Sequence, residues 1–464
     1  MDISNSNIKF NKTLLIAVTM VSNFMNPLMG SAVNIALPKI ATEFSMGAVS
    51  MSWVTMSYLL ASAIFLVPFG KIADIFGRRK VFLLGNLFFM LSTIFCSISF
   101  NGLSLIISRF LQGFAGAMMF STSMALVISA FPPQERGKAI GLNVSAVYLG
   151  LSMAPLLGGL LTEYLGWRSL FYINASVSLC ITAVIYFKIS YEWKEAAGEK
   201  FDYLGTFIYM PSIAALMYGF SKLPHLYAIV LTACGLAGLI TFIIIEIKNP
   251  FPVLNMKLFI QNKVFASSNF SAFINYAATF AVSFVLSLYL QYVKGLSPKE
   301  AGTLLITQPV LMAFVAAIAG RISDKVNPRW LASAGMAISV VGLFMLSFLD
   351  FKTSHSYIII SLAVLGFGFG LFSSPNTNMV MSSVEKKYYG VASATLGTMR
   401  TTGMMFSMAI ASLSVFLFVG ENTINADNLA LFIKSTQLIF IIFTILCAIG
   451  VFTSFAGKKE LKYS

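Results

Sequence analysis

Long apolar runs dominate the chain, and short polar segments separate them. Each run is close to the roughly 20 residues that a helix needs to cross a hydrocarbon core about 30 Å thick. The pattern predicts fourteen membrane-spanning helices, and their ends are expected to move by a few residues. The predicted spans are 14–37, 53–69, 81–99, 103–128, 139–161, 170–187, 203–220, 226–245, 265–289, 302–318, 330–349, 357–380, 391–418 and 431–455.

Composition points to the same class of protein. Hydrophobic residues make up 58% of the 464 residues, charged residues 10%, and the mean hydropathy is +0.84. One water-soluble core of this length could not hide so much apolar side chain. The fold class predicted is therefore an all-α integral membrane protein.

Cysteine spacing and motif content give no sign of a metal, a cofactor or an ATP-driven step. The four cysteines are far apart, and each lies inside an apolar run, which favours neither a metal site nor a disulfide framework. No GxxxxGK[ST] phosphate loop occurs. The cysteines in question are Cys96, Cys180, Cys234 and Cys447.

The basic residues predict an orientation. A net charge of +14 would suggest nucleic acid in a soluble domain, but in a membrane protein bases collect on the cytoplasmic side of the bilayer. With the N-terminus inside, 22 of the 31 lysines and arginines fall on the cytoplasmic side, seven on the other side and two within helices. We therefore expect a multi-pass protein of the cell membrane with both termini in the cytoplasm and no nucleic-acid partner.

A charged stretch occurs twice. GKIADIFGRRK at residues 70–80 and GRISDKVNPR at 320–329 match at an offset of 250 residues, which pairs Gly70 with Gly320 and Asp74 with Asp324. A duplicated six-helix unit gives this offset only if two extra helices lie between the copies. The predicted domains are an N-terminal bundle (1–187), a central segment with two helices (188–262) and a C-terminal bundle (263–464), arranged as six plus two plus six.

These stretches resemble the major facilitator superfamily, and specifically its fourteen-helix drug:proton antiporter branch. The likeness runs through NIALPKI, WVTMSYLLASAIFLVPFGKIAD, RFLQGFAGAM, GLSMAPLLGGLL, FDYLGTF, LYLQYVKGLSPKEAG and RTTGMMFSMAIA, in that order. The resemblance implies a major facilitator fold with two pseudo-symmetric bundles. It also implies a secondary transporter, not an enzyme, that works by alternating access.

The resemblance assigns two structural motifs. The stretch after the second span is similar to a latch that breaks and reforms between the bundles, and a simple topology anchor is the alternative. The latch residues would be Gly70, Asp74, Gly77, Arg78, Arg79 and Asp324. In the fifth span, small residues along one helical face and a helix-kinking proline resemble the antiporter signature that seals a bundle interface, while tight packing alone is the alternative. These residues are Gly150, Ala154, Pro155, Gly158 and Gly159.

Charge inside the spans is basic only. Arg109 and Arg400 lie within the fourth and thirteenth spans, where a guanidinium needs water, protein dipoles or an anion. None of the 17 acidic residues falls inside a span, and Met29 stands where the family commonly carries an aspartate. Neutral, zwitterionic or anionic amphiphiles are therefore expected ahead of cations. Proton coupling would need a carboxylate at a helix mouth, such as Asp74, Glu163 or Asp324.

Repeat symmetry predicts a central cavity lined by the first and fourth helices and by their equivalents, the ninth and twelfth. The predicted substrate or proton pathway consists of polar side chains within the spans. These are Asn26, Asn34, Arg109, Gln112, Tyr148, Asn275, Gln308, Asn376 and Arg400.

Together these features predict a secondary transporter that exports small amphipathic compounds, as in multidrug efflux, in exchange for protons if a carboxylate takes part. A flippase for lipids or lipid-linked molecules is the alternative within transport, and a non-transporting membrane sensor or scaffold is the alternative outside it. Because one chain already contains both bundles, we expect it to act as a monomer.

Overall fold

The computed structural model describes residues 11–223, 225–254, 256–323, 325–385 and 389–455, and within them the regular secondary structure is entirely helical. In these described segments, fourteen helices are long and apolar enough to cross a membrane, which agrees with the predicted number. They are α1 (Lys12–Phe44), α2 (Ala48–Phe76), α3 (Arg78–Ser97), α4 (Gly102–Ala130), α5 (Pro133–Tyr164), α6 (Arg168–Lys188), α7 (Tyr203–Ser221), α8 (Leu226–Lys248), α9 (Lys263–Val293), α10 (Pro298–Ser323), α11 (Pro328–Leu346), α12 (His355–Ser382), α13 (Tyr389–Val419) and α14 (Leu429–Phe455).

Most helices extend past the apolar runs that predict them. Polar residues supply the helix ends: the Asn11 side chain accepts a hydrogen bond from the Leu14 amide at the start of α1, and Ser297 and Glu300 form a capping box at the start of α10. Capping does not depend on apolar length, so the hydrophobic pattern alone underestimates these helices. A short helix, Met256–Gln261, precedes α9.

Helix packing follows the predicted repeat. Within the first six helices α1 packs on α5 and α2 on α4, and within the last six α9 packs on α13 and α10 on α12. Between the two sets α2 packs on α13 and α5 packs on α10, so the second helix of each set contacts the fifth helix of the other. This reciprocal contact is what two copies related by a two-fold axis produce. We refer to α1–α6 and α9–α14 as the two bundles; their exact boundaries along the chain remain a prediction.

The two extra helices form a hairpin that touches both bundles. The Tyr209 hydroxyl of α7 donates to the carbonyl of Ala63 in α2 at 3.0 Å. At the other end of α7, the Phe220 ring lies 4.8 Å from that of Phe406 in α13. The hairpin α7–α8 therefore lies alongside the seam where α2 meets α13.

The two ends of the helices differ in how the bundles meet. We call the end that carries the α1–α2 turn the Gly47 face and the end that carries the α2–α3 turn the Gly77 face. Hydrogen bonds between the bundles are concentrated toward the Gly47 face: Ser52 Oγ lies 2.8 Å from Ser412 Oγ, and Ser287 donates to the Asn34 carbonyl at 2.9 Å. The bundles are thus closed together at this face.

Candidate functional site

A cavity of about 230 Å³ lies between the two bundles. It is lined by four helices from each bundle, namely α1, α2, α4 and α5, and α9, α10, α12 and α13. This is a wider set than the four helices that repeat symmetry predicts. The described lining residues include no aspartate or glutamate, and the polar ones are Asn23, Asn26, Ser31, Asn34, Tyr58, Ser62, Tyr276, Thr279, Ser283, Gln308, Arg400 and Thr401.

Four of the nine predicted pathway residues line this cavity: Asn26, Asn34, Gln308 and Arg400. The other five lie behind its wall. They are Arg109, Gln112, Tyr148, Asn275 and Asn376. The sequence places all nine at membrane depth but does not show which side of each helix faces the cavity.

Arg400 is the charged group in the described cavity wall. One of its terminal nitrogens donates to the Thr377 hydroxyl at 2.6 Å, and its guanidinium carbon lies 5.6 Å from the centre of the Tyr276 ring. Its Nε is buried and has no hydrogen-bond partner among the described atoms. A planar donor group with unused capacity and no neighbouring carboxylate can bind an anion or a carbonyl-rich molecule.

Arg109 is fully buried, and Tyr58 connects it to the cavity wall. Its Nε donates to the Val54 carbonyl at 3.2 Å, and another nitrogen donates to the side chain of Gln112. The guanidinium carbon stands 4.5 Å from the centre of the Tyr58 ring, a cation–π contact in a site shielded from water. The Tyr58 hydroxyl in turn donates to Asn26 at the cavity wall.

Tyr58 is therefore a wall residue that the sequence analysis missed. It lies in the apolar run of α2, where the sequence alone indicates that an aromatic side chain packs against neighbouring helices. The only sequence signal is its hydroxyl, which needs a hydrogen-bond partner when buried. Its position between Arg109 and Asn26 connects the buried charge to the cavity surface.

Tyr148 connects the two bundles behind the cavity wall. Two predicted pathway residues of the second bundle, Asn275 and Asn376, are buried and do not line the cavity. The Tyr148 hydroxyl of α5 lies 2.7 Å from Ser373 Oγ of α12. Asn275 and Asn376 are both fully buried, and neither side-chain amide has a partner among the described atoms.

The small residues of α5 lie on two sides of the helix, not on the one face that the sequence analysis predicts. A methyl group on Gly150 would lie 2.2 Å from the Phe24 carbonyl of α1, and one on Gly158 would lie 2.9 Å from Ala32. On the other side, a methyl group on Gly159 would lie 2.5 Å from the Pro298 carbonyl of α10. One set of glycines therefore packs α5 within its bundle, while Gly159 permits close contact with the other bundle.

Ala154 and Pro155 complete this motif. Ala154 is fully buried, and the Pro155 carbonyl faces Gly302 of α10 so closely that a methyl group there would lie 2.2 Å away. Pro155 also lines the cavity. The α5–α10 contact thus runs from the cavity to the Gly47 face.

The predicted latch begins inside a helix. The predicted spans end at residue 69 and resume at 81, which implies a turn between them, but α2 continues to Phe76. Ile72, Ala73 and Ile75 still pack inward, and Gly77, with φ of +130°, breaks the helix. Asp74 accepts from Arg78 Nε at 2.7 Å, and Arg78 also donates to the Ala125 carbonyl of α4 at 3.2 Å.

The segment between α6 and α7 covers this turn. Glu192 accepts from the backbone amides of Arg79 at 2.8 Å and Lys80 at 3.2 Å, at the N-terminus of α3. Lys71 pairs with Glu199 at 2.6 Å. A methyl group on Gly77 would lie 2.4 Å from the Glu192 carboxyl carbon, whereas one on Gly70 would make an ordinary van der Waals contact with Ser121 Cβ at 3.9 Å. Arg79 donates to main-chain carbonyls at the end of α6, and Asp324 lies outside the described residues.

The prediction that no acidic residue lies within a membrane span needs correction. Because the helices extend past the apolar runs, six acidic residues of the described chain lie within helices: Glu43, Asp74, Glu135, Glu163, Glu246 and Glu300. Glu246 in α8 is only 1% exposed. It faces the hairpin base at the Gly77 face, not the cavity.

Comparison with known proteins decides the family. The model of the Major Facilitator Superfamily matches residues 19–247 and 269–461 of this chain. The chain belongs to the Major Facilitator Superfamily. Its relatives in this superfamily are transporters, and the predicted family and fold class are confirmed.

Two relatives carry names that indicate different substrates. The riboflavin transporter RibZ of Clostridioides difficile (strain 630) is 29% identical over 464 residues, which is 97% of this chain and 99% of that protein. The multidrug transporter protein MdtP of Bacillus subtilis (strain 168) is 30% identical over 417 residues, 88% of this chain and 76% of that protein.

A solved structure supports the fold. A bacterial homologue of the human lysosomal transporter Spinster, in an inward-facing and unoccupied conformation, superposes with a TM-score of 0.70 at 15% identity. The alignment covers 96% of each chain. This likeness concerns the fold of this major facilitator protein and not its substrate.

Proposed function

We propose that this transporter exports small amphipathic compounds by alternating access around the central cavity, and that it prefers neutral, zwitterionic or anionic compounds to cations. The observation that carries the proposal is a cavity shared by both bundles, with Arg400 and several amide side chains but no acidic side chain in its described wall. Such a wall offers donors and acceptors to an uncharged or anionic molecule and leaves a cation unpaired.

Orientation and closure together support export as the direction of transport. The excess of bases at the Gly77 face supports a cytoplasmic position for that face. Contacts between the bundles are concentrated at the opposite, Gly47 face, which is consistent with a conformation that loads from the Gly77 face. A transporter that loads there and then opens at the Gly47 face exports.

Flux from proteoliposomes tests the proposal. Purified protein is reconstituted and given matched anionic, neutral and cationic fluorescent amphiphiles, with and without a pH gradient. We expect flux of the anionic and neutral probes and little flux of the cationic one. Flux that needs the gradient indicates exchange for protons. Cation-selective flux contradicts the proposed specificity, gradient-independent lipid movement indicates a flippase, and no flux of any probe indicates a sensor or scaffold.

Riboflavin transport is the second candidate, and two observations favour it: the name of a relative and the side chains of the cavity wall. The relative named as a riboflavin transporter aligns over nearly the full length of both chains. The cavity wall carries Asn26, Asn34 and Gln308, whose amides match the alternating carbonyl and N–H groups on the edge of a flavin ring. Tritiated riboflavin in the same proteoliposomes tests it, and flux equal to that of empty liposomes rejects it.

A further inference from the structure

Two acidic side chains meet at the base of the α7–α8 hairpin, at the Gly77 face. Asp202 is the N-cap of α7, and Glu246 lies near the end of α8. Glu246 is 1% exposed, and Asp202 is partly buried with a fully buried Oδ2. Neither residue lines the central cavity, so this pair is a separate feature.

Each carboxyl group uses one oxygen to accept a backbone hydrogen bond. Asp202 Oδ1 accepts from the Gly205 amide at 2.9 Å, and Glu246 Oε1 accepts from the Val253 amide at 3.2 Å. The second oxygen of each, Asp202 Oδ2 and Glu246 Oε2, is buried and has no partner among the described atoms. Two buried acceptor oxygens without a donor are costly if both groups are ionised.

Gly205 shows how closely the two groups converge. A methyl group built on its α carbon would lie 2.1 Å from Asp202 Oδ2 and 2.7 Å from Glu246 Oε1. Both carboxyl groups therefore lie against Gly205, in space that the side chain of any larger residue would occupy. At such separation two negative charges in a buried site repel strongly.

No base relieves this repulsion within the described part of the chain. The bases on the neighbouring segments, Lys200, Lys248 and Lys257, are exposed, and none forms a salt bridge with either acid. A metal ion is a poor alternative, because Ca²⁺ takes six to eight oxygen ligands and Mg²⁺ an octahedral set. One proton held between the two groups supplies the missing donor and removes one charge.

We propose that Asp202 and Glu246 form a proton-binding site that holds the base of the α7–α8 hairpin closed. With the proton bound, the protonated Glu246 donates to the Asp202 carboxylate. When the proton leaves to water at the Gly77 face, two carboxylates remain and repel, and the ends of α7 and α8 separate. Since α7 contacts α2 and α13, this site acts on the seam between the bundles. It goes beyond the proposed export function and does not depend on it.

Infrared spectroscopy of the full-length protein in nanodiscs tests the proposal. A protonated carboxylic acid has a C=O stretch well separated from that of a carboxylate. We expect such a band near neutral pH in the wild type, its loss in Glu246→Gln and in Asp202→Asn, and its retention in Asp427→Asn, an exposed loop control. Asparagine preserves the α7 cap, which keeps the second variant foldable if the first is not. If the wild type and both variants show the same carboxylic-acid C=O band, the proposal is overturned.

Thermal unfolding gives a second readout that does not use transport. As pH rises from mildly acidic to alkaline, the wild type loses the shared proton, so its Tm should fall. Glu246→Gln keeps a permanent donor toward Asp202, so its Tm should fall less over the same range. Equal slopes in the two proteins contradict a shared proton. Because neither assay measures flux, failure here leaves the export proposal standing, and the reverse also holds.

Discussion

At the residue scale, Arg400 supplies the charge of the described cavity wall. We expect Arg400→Gln to weaken binding of anionic amphiphiles by about 10- to 100-fold, since a hydrogen bond to a charged group contributes about 1.5–3 kcal/mol. Arg400→Lys is the matched variant, because it keeps the charge but loses the planar donor fork. Fluorescence titration with anionic and neutral probes measures the effect. An equal loss for both probes would show that Arg400 acts on the fold and not on charge selection.

Arg109 acts from behind the wall. Arg109→Ala should abolish transport while folded protein remains in the membrane, with a lower Tm because the Val54 carbonyl and the Gln112 side chain lose their donor.

Tyr58→Phe keeps the ring that faces Arg109 and removes only the hydrogen bond to Asn26, so it should reduce flux and leave the Tm nearly unchanged. Flux and Tm are measured on the same preparations. Wild-type flux in Arg109→Ala would remove this residue from the mechanism.

The sequence predicts which polar residues lie at membrane depth, but not which of them meet. Asn26, Asn34, Gln308 and Arg400 line the cavity, whereas Arg109 and Tyr148 do not. A span that is apolar all round has no polar stripe to show its inward side. Tyr58 was missed for the same reason, because a lone tyrosine in an apolar run looks like packing.

At the element scale, the α5–α10 contact depends on glycine. Gly159→Ala would place a methyl group 2.5 Å from the Pro298 carbonyl, and such overpacking costs about 1–3 kcal/mol. The Gly47 face should therefore open more often, and spin-label distances between α2 and α13 at that face should lengthen. Gly141→Ala in the same helix is the control, since it has open space. Identical distance distributions for the two variants would show that this contact does not set the closed state.

The linker over the α2–α3 turn makes a further prediction. Glu192→Ala removes the carboxylate from the N-terminus of α3, at a cost of about 1 kcal/mol. The linker should then detach more often, and trypsin should cut faster at the exposed Lys194 and Lys200. Glu421→Ala, on the opposite face, is the control. Equal cleavage rates in both variants would mean that Glu192 does not hold the linker.

Helix ends are where the hydrophobic pattern predicts least. The fourteen spans are found, but capping at Asn11 and Ser297 lengthens the helices beyond the apolar runs. This extension carries Asp74 and Glu246 into helices and turns an expected loop into the end of α2. The Asp202–Glu246 contact joins the two ends of a hairpin, so no local pattern could reveal it.

At the scale of the whole molecule, the repeat gives more than any single motif. An offset of 250 residues between two short stretches implies two copies with an inserted pair of helices, and the reciprocal α2–α13 and α5–α10 contacts agree with it. Two copies facing each other leave a cavity between them, and motion of one against the other can open it to either side. Which of the two faces is closed could not be predicted, because the same sequence must form both the conformation closed at one face and the conformation closed at the other.

A reversible lock at the Gly47 face tests this account most directly. Ser52 and Ser412 belong to different bundles, and their hydroxyl oxygens are 2.8 Å apart, so Ser52→Cys with Ser412→Cys should form a disulfide once the native cysteines are replaced by serine. Flux in proteoliposomes is measured before and after reduction. We predict no flux in the oxidised protein and restored flux in the reduced one; full flux with the disulfide intact would contradict transport by movement of the bundles about the cavity.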